Sequence, residues 1–94
     1  MATAKQHIYC HITKDPHVCG GQACIDETRV RVKNIVFLYK QGHSPEKMLE
    51  IYSFLNLAQV HAALSYYYEN RAEIEASLAE DEAWAESLSR RASG

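Results

Sequence analysis

Val32, Ile35, Val36, Leu38 and Tyr39 recur at steps of three and four, and this spacing predicts a helix over residues 32 to 41. Gly42 follows where a left-handed residue would end it. Ser44, Pro45 and Glu46 then form a start signal. Serine can accept a hydrogen bond from a free amide of the next turn, proline fits the first helical position with no donor to lose, and glutamate favours the positive end of the dipole. The helix they open, residues 45 to 52, places Met48, Leu49, Ile51 and Tyr52 on one side. Asn56 reads as the N-cap of a third helix, 57 to 69, with Leu57, Val60, Leu64 and Tyr67 or Tyr68 as its inner stripe. Gly42 to Glu46 is thus a helix-turn-helix hinge, and three short helices within about forty residues can enclose a small core.

Upstream of this trio the period changes. Ile8-Tyr9-Cys10-His11-Ile12 alternates and is rich in β-formers, so it predicts a short strand stopped by Lys14-Asp15-Pro16. A turn follows at Gly20-Gly21. Ala23-Cys24-Ile25 and Thr28-Arg29-Val30 are then two brief extended pieces around the polar turn Asp26-Glu27. Strands this short need cover from the helices or from the same strands of a second chain. Downstream, Glu69 to Glu86 holds seven acids and one arginine yet places Ile74, Leu78, Ala85 and Leu88 at helical spacing, with Trp84 widening the stripe. Arg90 and Arg91 suit the negative end of that helix. The expected fold is mainly α: a homeodomain-like three-helix core with a short N-terminal β element, together residues 1–69, and an acidic amphipathic helical tail, residues 70–94.

Ninety-four residues, 47% of them apolar, make one small domain with apolar surface left over for a partner, and a homodimer is expected. No apolar run approaches the ~18 residues of a membrane span, and the polar start lacks the apolar region of a signal peptide, so the expected location is cytoplasmic. Three cysteines, an odd number, agree with thiols kept reduced. The net charge of −2 is divided unevenly, +3 over residues 1 to 47 and −5 over 48 to 94.

An ordered set of signatures runs through the same stretch: Cys19-Gly20-Gly21-Gln22-Ala23-Cys24-Ile25, Thr28-Arg29-Val30, Val32, Gly42-His43-Ser44-Pro45-Glu46, Tyr52, Leu55, and Val60, Ala63, Leu64 and Tyr67. Over residues 8 to 69 it resembles the family catalogued as domain of unknown function 433. Ala23 stands where that family usually has proline. Asp26-Glu27 replaces a pair that usually ends in glycine, so the turn before Thr28 is expected to be shaped differently. The resemblance implies a homeodomain-type fold behind a small β element, and the role of an antitoxin encoded beside a PIN-like ribonuclease toxin.

Two sets of residues are candidates for binding. On the third helix, Gln59, His61, Ala62, Ser65 and Tyr66 would face outward; Gln59 could pair with adenine and Ser65 touch a phosphate. Residues 53 to 70 contain no Lys or Arg, however, so phosphate neutralisation must come from Arg29, Arg31 and Lys33, or from Lys40 and Lys47. In an extended stretch Arg29, Arg31 and Lys33 would form one basic stripe, which serves equally as a solvated edge that discourages strand aggregation. In the tail, Glu73, Glu75, Glu80, Asp81, Glu82 and Glu86 could attract a basic protein while Ile74, Leu78, Trp84 and Leu88 anchor it. That stripe could instead be covered by its own chain or by a second copy.

Cys10, Cys19, Cys24, His7, His11 and His17 crowd the first 24 residues but lack the paired spacing of a zinc site. Buried small hydrophobes and surface histidines are the expected roles, with no metal and no cofactor. No phosphate loop, nucleophile elbow or acid pair at motif spacing points to an enzyme, and Tyr66-Tyr67-Tyr68 reads as one core ring with two partly exposed ones. The leading expectation is an antitoxin-like interaction module that neutralises a basic PIN-like ribonuclease, with weak DNA binding as a dimer; the alternative is a stand-alone helix-turn-helix regulator.

Overall fold

A computed structural model describes the backbone of residues 6–93 and the side chains of residues 6–87. Its elements are β1 (Gln6–Tyr9), β2 (Ile12–Lys14), β3 (Cys24–Ile25), α1 (Val32–Lys40), α2 (Pro45–Ile51), α3 (Leu57–Glu69) and α4 (Arg71–Ser93). The mainly α fold with a short N-terminal sheet agrees with the apolar periodicity.

The first strand differs from expectation. Residues 8 to 12 are not one strand but a hairpin: the chain turns at Cys10 and His11, and β1 pairs antiparallel with β2 through His7 opposite Thr13 and Tyr9 opposite Ile12. His11 takes φ +62, a left-handed conformation that histidine adopts more readily than most side chains. Alternation continues through a turn this tight, so period alone cannot reveal it. β3 adds to β2 to give the order β1-β2-β3, with Ile12 and Ile25 fully buried. The polar turn does form at Asp26 and Glu27. Thr28 closes it by donating its hydroxyl to the Ile25 carbonyl (2.8 Å) and accepting from the Val30 amide (3.0 Å), and Glu27 is held at φ +62 without glycine's freedom.

α1 starts where the Val32 amide donates to the Ala23 carbonyl at 2.9 Å, which satisfies one of its free donors from the sheet instead of from a capping side chain. Val32, Ile35 and Val36 are fully buried. Gly42, at φ +94, ends the helix in a conformation a β-carbon would oppose. Ser44 caps α2 by accepting from the Lys47 amide at 3.2 Å, and Asn56 and Gln59 form a capping box on α3. In α2 only Met48 is buried, and Ile51 is 52% exposed.

α3 is the central element, with α1 and α2 on one side, the sheet on another and α4 beside it. Its burial is therefore wider than one stripe: Val60, Ala62, Ala63, Leu64, Tyr66 and Tyr67 all lie inside, while Leu57 is 39% exposed. This corrects three expectations. Ala62 and Tyr66 are not outward, Leu57 is not in the core, and two of the three adjacent tyrosine rings are buried. Asn70 separates α3 from α4, donating its side-chain amide to the Tyr66 carbonyl at 3.0 Å. Ile74 of α4 then re-enters the same core, 4% exposed.

Candidate protein-interaction site on the C-terminal helix

The acidic helix α4 is held to its own chain by three ion pairs with lysines. Lys14 reaches Glu73 at 3.1 Å, and the Tyr66 hydroxyl donates to the same carboxylate at 2.7 Å. Lys40 donates to Glu75 at 2.6 Å, and the Tyr67 hydroxyl donates to the other oxygen of Glu75. Farther along, the Lys33 ammonium, on a residue 7% exposed, pairs with Asp81 at 2.8 Å and donates to the Ser77 hydroxyl at 3.1 Å. Leu78 packs half-buried against the core between these contacts.

The electrostatics follow from this arrangement. The Lys40 hydrogen bond, then that of Tyr67, holds the Glu75 carboxyl below its ordinary range, and Glu75 in turn raises Lys40. Burial, then donation to Glu73, pushes the Tyr66 phenol well above its usual value. Glu73, Glu75 and Asp81, three of the acids expected to meet a partner, already have cations within the chain.

From Glu80 onward, Asp81 apart, the helix is different. Trp84 is 60% exposed, and Glu80, Glu82 and Glu86 form no ion pair among the described residues. A groove of about 550 Å³ between α1 and α4 is lined by Phe37, Lys40, Leu78, Ala79, Glu82 and Ala85, among others. Phe37, 52% exposed, was not singled out by periodicity because α1 already had its inner stripe. Leu88 lies outside the residues whose side chains are described.

The nucleic-acid candidates are not brought together. The basic stripe breaks at Val32, where the extended chain becomes helix, so Arg29 is exposed, Arg31 is half-buried and Lys33 turns inward under α4. The Arg31 Nε is buried with no hydrogen-bond partner among the described residues. On α3 the Gln59 side-chain Oε1 accepts from the Asn56 backbone amide at 2.8 Å, and the Ser65 hydroxyl meets the Tyr9 hydroxyl at 2.5 Å. Both proposed readers thus have partners within the chain. Among the described residues no three His, Cys, Asp or Glu side chains converge as a metal cluster. Nor is any described helix long and apolar enough to cross a membrane.

These features define a mainly α domain whose three inner helices and small sheet are braced by a fourth, acidic helix. The family described as protein of unknown function (DUF433) matches residues 12–67. The crystal structure of a DUF433 member protein from Anabaena variabilis ATCC 29413 is similar at 36% identity and a TM-score of 0.70, over 73% of this chain and 68% of that one. The chain belongs to the DUF433 family. No curated protein matches it.

Proposed function

We propose that the protein is a cytoplasmic, non-enzymatic interaction module of the antitoxin kind, dimeric, whose distal α4 turns bind a basic protein of the PIN-like ribonuclease class. The observation that carries this reading is Trp84, 60% exposed among Glu80, Glu82 and Glu86, none of which has an ion pair among the described residues. A large exposed aromatic ring on an acidic helix is a fitting anchor for a cationic partner: the ring supplies buried area and the acids steer approach. A nuclease's nucleic-acid site is positive by necessity and would offer that partner surface. Helix-turn-helix contact with DNA is the weaker component. It rests on Arg29 and the half-buried Arg31, since Lys33, Gln59 and Ser65 have partners within the chain.

A pull-down of the tagged protein at native expression level, read by mass spectrometry, tests the proposal. The expected result is a stoichiometric small basic protein with clustered acidic residues. With that partner in hand, the triple variant E80K/E82K/E86K should weaken binding about tenfold or more and slow association. Unchanged affinity would overturn the electrostatic contact. Recovery of the protein by itself, with DNA affinity falling steeply in salt and lost on changing Arg29 and Arg31, would favour the stand-alone regulator.

A further inference from the structure

Outside α4, the N-terminal element encloses a cavity of about 440 Å³ that the proposed interaction does not use. Three segments wall it. Thr13 of β2 and Cys24 of β3 stand opposite each other in the sheet register, 5% and 3% exposed. Asp15 and Val18 form the second wall, closed into a turn where the Val18 amide donates to the Asp15 carbonyl at 2.9 Å. Glu27, Thr28 and Arg29 form the third. That wall is fixed by the Thr28 hydroxyl, bonded to Ile25 and Val30, and by the Arg29 carbonyl, which accepts from the Cys19 thiol at 3.3 Å. Each wall is held by its own hydrogen bonds, so the cavity is formed before a ligand arrives.

The charges around it are of both signs. Asp15 accepts from the His17 amide through Oδ1 at 2.8 Å, yet neither it nor Glu27 nor Arg29 has an ion pair among the described residues. The volume is that of a small-molecule site. A guanidinium offers a carboxylate two parallel hydrogen bonds, and a carboxylate accepts well from an ammonium or a second guanidinium. Two anionic groups and one cationic group are complemented by a molecule with two cationic groups and one carboxylate. A free basic α-amino acid has that set. Val18, and Cys24 acting as a small hydrophobe, offer its methylene stem apolar contact. A phosphate would meet two carboxylates beside Arg29, and a diamine would meet Arg29 itself; like charges select against both.

We propose that this cavity binds a free basic amino acid, with the ligand carboxylate on Arg29 and its two cationic groups on Asp15 and Glu27. The proposal is independent of the α4 reading, since none of these residues lies on that helix.

The test is isothermal titration calorimetry of the full-length protein with L-lysine and L-arginine. Two further probes each lack one charge: cadaverine has no carboxylate, and L-norleucine has no side-chain cation. The expected result is saturable binding of a basic amino acid with a Kd below about 1 mM, and binding of both control probes weaker by about tenfold or more. Arg29→Gln should weaken the basic amino acid about tenfold and leave cadaverine unchanged, whereas Glu27→Gln should weaken the basic amino acid by a similar factor. Both side chains are exposed, so the two variants should melt with the parent. Amide chemical shifts should move at Thr13, Cys24 and Thr28 and stay in place along α4. Three results would overturn the proposal: no saturable heat from either basic amino acid at about 10 mM, a control probe binding as tightly as they do, or an affinity that neither variant moves.

Discussion

The proximal and distal turns of α4 have similar composition, acids interleaved with alanine and a few larger apolar residues, yet they stand in different environments. Glu73, Glu75 and Asp81 meet Lys14, Lys40 and Lys33, and Ile74 enters the core. Glu80, Glu82 and Glu86 face solvent, as does Trp84. An amphipathic pattern therefore says that a helix needs cover without saying over what length it gets it. What decides is whether cations and apolar side chains of another element lie within reach.

The contrast can be broken by substitution, and the largest effect is expected at Ile74. Ile74→Ala removes a side chain from the core cluster and should cost about 3 kcal/mol in urea unfolding, in the range for large-to-small core changes. A loss below about 1 kcal/mol would mean that the proximal turns are not part of the folded unit.

Lys33 comes next. Its side chain is 8% exposed but that of Asp81 is 58% exposed, so solvent screens half of the pair, and Lys33→Ala should cost about 1 kcal/mol, well short of the penalty for a fully buried pair. A thermal melt identical to the parent's would show that the contact is idle.

Glu75 sharpens the comparison through pH. Its carboxyl is held below the ordinary value of 4.5 by Lys40 and then Tyr67. The folded state therefore binds its proton more weakly than the unfolded chain does. The resulting stabilisation is complete above 4.5 and is lost as pH falls through the lower folded value. Glu75→Gln should flatten that acid limb of melting temperature against pH. Superimposable limbs would mean that this ion pair is not coupled to folding.

Trp84 should show the smallest effect. With 60% of its surface exposed, Trp84→Ala should change unfolding free energy by no more than about 0.5 kcal/mol, whereas the proposed partner's affinity should fall. A large stability loss would place Trp84 with the proximal turns and remove the anchor from the proposed site.

Much of the helical trio is legible in the sequence. Ser44, Pro45, Asn56 and Gly42 act through hydrogen bonds and backbone angles local to a few residues, and such signals survive any tertiary setting. The candidate site was less legible. Lys14–Glu73, Lys33–Asp81 and Lys40–Glu75 join residues far apart in the chain, and no local pattern marks one lysine as a partner and another as free. The basic stripe failed for a related reason: Arg29 and Arg31 keep the extended period, but the helix that Val32 begins turns Lys33 under α4.

By itself the sequence determined where helices start and stop, that the fold is mainly α, and which family the chain belongs to, because caps, periods and ordered motifs are short-range properties. Tertiary structure decided that α3 is buried on more than one side, that residues 8 to 12 fold back as a hairpin, and which α4 acids are neutralised. Each of those depends on which surface another element covers, and coverage is a property of the packed chain as a whole.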